Sequence, residues 1–285
     1  GALADRVVVT SIDVSPNSVE TGSSGGFSEN HPVLLSPLAD GGSRVAWTDG
    51  TGTVHITPLD ARDQRAGDDV TLPGDEVRGF VAHDVGATLL LRRGDTMVLV
   101  QVDGHGAAVF ERVLAGDNSH GHVGDQWIDS WSHEGRLAAT DTRFAAYFGL
   151  TQLWDSGNHQ GDALHYFDIA GTSTGGGWTW GCSHSLDVRL AYSGTTPGPV
   201  CLSDCYPGKG IYFDHDTRVF EDPSGNCAGS SDTVLGGLVA VADGFLPQRC
   251  RPSHMKHDRQ CASSPPLHAA FLNASKYSSN SFRTA

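Results

Sequence analysis

From His31 onward the chain is written in short apolar, β-branched pieces separated by turn dipeptides, and this punctuation constrains the fold more than any motif does. Residues 33–38 give way to Asp40-Gly41-Gly42, residues 44–47 to Asp49-Gly50, and residues 53–56 follow. The pattern continues at 70–72, 77–82, 87–91, 97–102 and 107–113. Strand, turn, strand is the reading. No stretch in this half shows a 3.6-residue period with caps, so almost no helix is expected. The 36 glycines of the 285 residues suit many tight turns.

Self-similarity suggests how the strands group. Arg44-Val45-Ala46-Trp47 returns as Arg189-Leu190-Ala191-Tyr192, with looser relatives at Arg143 to Tyr147 and Arg78 to His83. His122-Val123-Gly124-Asp125 returns 37 residues later as His159-Gln160-Gly161-Asp162. Strand groups every ~35–50 residues are what propeller blades require. The expected fold is therefore all-β: a disulfide-pinned β-propeller, or an incomplete one, of about five four-stranded units over residues 31–245. Residues 1–30 read as a leader strand, around Val7-Val8-Val9-Thr10, and a Ser/Gly-rich linker. The last unit, 235–245, breaks off after one strand. Its open edge calls for the N-terminal strand or for further sequence.

Residues 246–285 differ in character. They hold no glycine and six Lys/Arg against one Asp, a net charge of +5 that leaves −19 for the body. The segment reads as a non-native-looking or disordered basic tail, which would place Cys250 and Cys261 outside any disulfide framework.

The other four cysteines, Cys182, Cys201, Cys205 and Cys227, fall within a 46-residue window and contain no C-x-x-C pair. Two disulfides fit better than zinc, with three connectivities open. A zinc site recruiting His184 or His215 matches no common ligand spacing. Disulfides imply an oxidising, extracytoplasmic compartment. No apolar run is long enough to span a membrane, so no membrane span is expected. The acidic body argues against nucleic acid and strongly anionic polysaccharide. Dinucleotide and P-loop fingerprints are absent. Ser183 and Ser185 sit in no nucleophile elbow, and Asp214-His215-Asp216 and Glu221-Asp222 lack a calcium-loop pattern.

Histidine is abundant, at 14 residues, and most sit beside Gly, Ser, Asn or Asp. His122, His159 and His184 are candidate metal ligands, with Asp125 and Asp162 as carboxylates behind the imidazoles. The alternative for H-x-G-D is a tight turn whose Asp bonds the backbone. His184, after a cysteine expected in a disulfide, is also a candidate base. Trp178 and Trp180 alternate on a strand-like run and are expected on one face. With Trp127, Trp131 and Trp154 they offer a sugar-stacking platform or, on a buried face, packing between blades.

Gly176-Gly177-Trp178-Thr179-Trp180-Gly181-Cys182-Ser183-His184-Ser185, Cys201-Leu202-Ser203-Asp204-Cys205-Tyr206-Pro207-Gly208, and the upstream Phe144 to Gly149 and His159 to Leu164 resemble a group of uncharacterised bacterial secreted proteins. The resemblance spans residues 143–245. It implies propeller-like repeats and a chain that runs on past Leu246, and it carries no activity. Two functions are expected. The first is a secreted binding module with no cofactor, whose ligand (a neutral glycan, a peptide or a protein) meets Trp178, Trp180, His184, Asp125 and Asp162. The alternative is a metal-dependent oxidoreductase or hydrolase using copper or zinc on His122, His159 and His184.

Overall fold

The computed structural model describes residues 33–49, 51–84, 86–116, 119–129, 134–183, 187–225, 227, 233–242, 244–251, 260–263 and 267–268. These form five antiparallel four-stranded sheets that follow one another along the chain, and the fold is a β-propeller of five units.

The first sheet comprises β1 (Val33–Pro37), β2 (Ser43–Thr48), β3 (Thr53–Leu59) and β4 (Val70–Pro73), and the second β5 (Glu76–His83), β6 (Gly86–Arg93), β7 (Thr96–Asp103) and β8 (Ala108–Ala115). The third is made of β9 (Gln126–Trp127), β10 (Gly135–Ala139), β11 (Arg143–Trp154) and β12 (Gly157–Asp168). The fourth contains β13 (Asp187–Ser193), β14 (Thr196–Ser203), β15 (Gly210–Phe213) and β16 (Thr217–Glu221). The fifth holds β17 (Val234–Val241), β18 (Gly244–Arg251), β19 (Gln260–Ser263) and β20 (Leu267–His268). The apolar pieces read between residues 33 and 113 each become one strand, and the leader strand read at residues 7–10 lies outside the described residues. The fifth sheet does not stop at residue 245: β18 crosses that point, and β19 and β20 lie within 246–285.

Alternation along the strands builds the core. In β6, Leu89 and Leu91 pack with Val54, Ile56 and Leu72 of the first sheet, while Leu90 points the other way, toward Phe144, Phe148 and Phe167 of the third. Tyr147 and Leu164 meet Val188, Cys201 and Tyr212 between the third and fourth sheets, and Val200, Leu202 and Phe213 meet Leu235 and Phe245 between the fourth and fifth. Strands buried on both faces read as continuous apolar runs, as 89–91 and 144–148 do.

The inner strands, β1, β5, β10, β13 and β17, pack on one another in that order. Close approach there demands glycine: a Cβ on Gly135 would stand 2.4 Å from Arg78 Cβ, and one on Gly79 2.7 Å from Leu137 Cβ. The Arg-apolar-Ala similarity does not mark equivalent places, since Arg78 and Arg189 open inner strands while Arg44 lies in β2 and Arg143 in β11. The H-x-G-D copies also differ in place: one precedes β9 and the other lies inside β12. Neither similarity is a blade repeat.

Candidate ligand-binding ridge and buried carboxyl

Register fixes which end of the propeller carries the candidate residues. Gly135, the first residue of β10, pairs with Phe148, yet β11 runs on to Trp154 and turns into β12 at Gly157. Residues 149–162 therefore form a hairpin standing beyond the entry of the inner strands. The loop after β14, residues 204–209, lies at the same end, since Asp187 at the start of β13 pairs with Leu202. Segment 173–181 returns along the edge of β12, bridged at Phe167 to Ser173 and at Leu164 to Trp178. Gly175, Gly176 and Gly177 hold φ of 73°, 77° and 76°, and a Cβ on Gly177 would come 2.1 Å from Leu164 O. Side chains disfavour that backbone region.

This path corrects the expectation that Trp178 and Trp180 share a face. A single bridge among positive-φ glycines is not a continued strand, so a two-residue period does not apply. Trp178 turns into the interface between the third and fourth sheets, edge-on to Tyr147 at 5.7 Å. Trp180 packs against the core between the second and third sheets and meets Trp154 edge-to-face at 5.6 Å. Trp154, near the hairpin tip, is 39% exposed.

Around this pair the groups are polar. Gln126 Nε2 donates to Gln152 Oε1 at 2.7 Å and to Thr179 O at 3.0 Å. His159 Nε2 lies 2.9 Å from Ser156 Oγ on the same hairpin. His120 stacks on Trp127 at 4.5 Å, and its Nε2 lies 3.3 Å from Asp95.

Asp162 faces the other way. It is fully buried, accepting the Tyr147 hydroxyl at 2.8 Å on Oδ2 and the Trp178 indole N–H at 2.9 Å on Oδ1. Burial pushes its proton affinity up from 3.8 to about 7, against the hydrogen bonds from Trp178, Tyr147 and the Cys182 backbone. The same burial and the adjacent carboxyl raise the Tyr147 phenol well above its ordinary range. Asp162 therefore lies away from the Trp154–Trp180 ridge, and below about pH 7 the interface holds its neutral form. Asp125 stays acidic, chiefly because the His122 backbone N–H donates to it at 2.9 Å, with Gly121 N–H and Ser119 Oγ adding to the set. It closes its own loop, as the turn alternative expected.

Two of the three expected metal ligands are among the described residues, and each meets a neighbour on its own loop. His122 is an exposed side chain 3.6 Å from Asp125, and His159 pairs with Ser156. His184 lies outside the described residues. Among the described residues, the group with three donors in mutual reach is Asp162, Cys182 and Cys201, and its sulfurs are bonded to each other. Among the described side chains the disulfides are Cys182–Cys201 and Cys205–Cys227, a local connectivity. Asp214 and His215 have φ of 54° and 51° and make the tight turn between β15 and β16.

Sequence reading missed one feature. Glu76-Val77-Arg78, Glu134-Gly135-Arg136 and Asp187-Val188-Arg189 start three successive inner strands. Arg78 donates to Glu76 at 3.1 Å and to Asp129 O at 2.9 Å, Arg136 reaches Asp187 across the interface at 3.5 Å, and Arg189 donates to Gly236 O at 2.9 Å. Each arginine ties its sheet to the next. The acid-x-Arg spacing was the available signal, at intervals of 58 and 53 residues.

No family model and no curated protein matches the chain. Solved structures do match it, at low similarity. A bifunctional GH43-CE protein of Bacteroides eggerthii is 14% identical with a TM-score of 0.38, over 64% of this chain and 24% of that one, so the chain spans about a quarter of its length. The PQQ-bound aldose sugar dehydrogenase of Streptomyces coelicolor is 12% identical with a TM-score of 0.40, covering 83% and 82% of the two chains. A native Bacillus subtilis arabinanase is 10% identical with a TM-score of 0.31, covering 86% and 98%.

Proposed function

We propose that this chain is an extracytoplasmic binding module that holds a neutral carbohydrate on the ridge formed by Trp154, Trp180, Gln126, Gln152 and His159. The observation that carries the reading is the Trp154–Trp180 pair, with one indole exposed and braced by the other beside an amide pair. Indole faces stack on apolar sugar faces while amide and imidazole groups meet hydroxyls. The two disulfides support an oxidising compartment. Among the described residues no helix is long and apolar enough to cross a membrane.

Glycoside cleavage needs an acid beside the scissile oxygen, and the buried carboxyl that holds its proton, Asp162, lies away from this ridge. The test is titration calorimetry with a panel of neutral oligosaccharides on wild type and Trp154→Ala. At least one sugar binds wild type and loses tenfold or more with the variant, and its length is unchanged after incubation. Absence of binding across the panel, equal affinity in the variant, or shortened sugars overturns the reading.

A further inference from the structure

The interface between the third and fourth sheets holds a donor group that the ridge does not use. A carboxylate oxygen of Asp162 and the sulfurs of Cys182 and Cys201 lie within 4.8 Å of one another, all three residues fully buried. In the oxidised chain the sulfurs are joined and offer no thiolate. We propose that reduction of Cys182–Cys201 converts this corner into a site for one thiophilic divalent cation of the zinc class, held by two thiolates and the Asp162 carboxylate.

The chemistry balances with a dithiol as reductant. It supplies two electrons and two protons, the S–S bond breaks, two cysteine thiols form, and the reductant leaves as its cyclic disulfide. The cation then displaces both thiol protons and any proton on the carboxyl. Two sulfurs and one oxygen suit a zinc-class ion with three protein ligands and an open fourth position.

The site is preorganised without the S–S bond. Cys201 lies in β14, in register with Val188 of β13 on one side and Tyr212 of β15 on the other. Cys182 is flanked by two backbone hydrogen bonds, Gly181 N–H to Asp162 O at 2.8 Å and Ser183 N–H to Tyr206 O at 2.7 Å. Cutting the disulfide removes none of these. Asp162 is oriented as well, by the Tyr147 hydroxyl on one oxygen and the Trp178 N–H on the other. With the Cys182 backbone N–H as a third donor, three of the carboxylate's four lone-pair sites are taken and one is left for a cation. Groups that fix a metal ligand from behind raise affinity in this way.

The probe is cadmium, followed by its ultraviolet thiolate charge-transfer band, on the full chain reduced anaerobically with a dithiol and then freed of it. Reduced wild type binds one equivalent more than reduced Cys182→Ser; contributions from the remaining cysteines cancel in that difference. Asp162→Asn weakens that equivalent by about tenfold or more, and oxidised wild type lacks it. Equal stoichiometry in wild type and Cys182→Ser overturns the proposal, as does unchanged affinity in Asp162→Asn. Circular dichroism is recorded alongside: strand signal lost on reduction and not regained with cadmium also overturns it.

Discussion

Replacing Asp162 with asparagine should remove a specific pH dependence of stability while keeping the side chain's volume. In the folded chain the carboxyl holds its proton to about pH 7, against 3.8 ordinarily. Below about pH 4 it is protonated in both folded and unfolded chains and contributes nothing. Between about 4 and 7 the unfolded chain releases the proton and the folded chain keeps it, so stability falls as pH rises, by about 1.4 kcal/mol per pH unit. Over a shift of about three units the loss reaches about 4 kcal/mol, and above 7 it is constant. Burial also lowers the proton affinity of His83 and His165, which costs stability as pH falls below 6.5 and opposes the carboxyl in part of the same window. The measurement is therefore a difference: urea unfolding by tryptophan fluorescence from pH 4 to 8, wild type against Asp162→Asn. The histidine contributions cancel, and a constant offset from rearranged hydrogen bonds leaves the slope untouched. A difference that does not vary between pH 4 and 7 refutes the assignment of a neutral carboxyl to this interface.

Other perturbations follow from the same structure. Glu76→Leu leaves the guanidinium of Arg78, whose side chain is 1% exposed, and that of Arg92 without their shared carboxylate; urea unfolding should show a loss of about 3–5 kcal/mol. Gly177→Ala combines a φ of 76° with a Cβ 2.1 Å from Leu164 O; it should cost about 1–3 kcal/mol or more, read as a lower unfolding midpoint. Cys205→Ser with Cys227→Ser opens a loop of sequence separation 22; the expected loss is about 3 kcal/mol under oxidising conditions and none in reductant.

The fold was legible because its strands announce themselves. Pieces such as 89–91 are apolar at every position, and a strand walled by neighbours on both faces reads that way. The repeat was legible only in part. Searching for Arg-apolar-Ala paired Arg189 with Arg44, which sits one strand further out, because β2 and β13 share an apolar pattern without sharing a place. The acid two residues before Arg78, Arg136 and Arg189 was the better marker, since only an inner strand needs a charge that reaches its neighbour. At the site, the sequence showed which side chains were unusual and not which way they pointed. Trp178 and Trp180 diverge because three glycines in the left-handed region precede a single bridge, and a two-residue period presumes an extended chain. Asp162 looked like a twin of Asp125. One is sealed by Tyr147 and Trp178, the other bonds its own loop, and only the fold separates them.

The alternation in β6 sets what this chain tolerates. Leu89 and Leu91 belong to one interior and Leu90 to another, so the strand is a wall shared by two rooms. Deleting one residue inside such a strand would hand each room the other's side chains, and both would be misfurnished at once. Adding residues at the turns, where Gly41 and Gly94 have open or ordinary surroundings, disturbs neither. Change in length therefore belongs at the two rims of the propeller and is barred from its staves, and the long β11–β12 hairpin stands where that freedom is permitted.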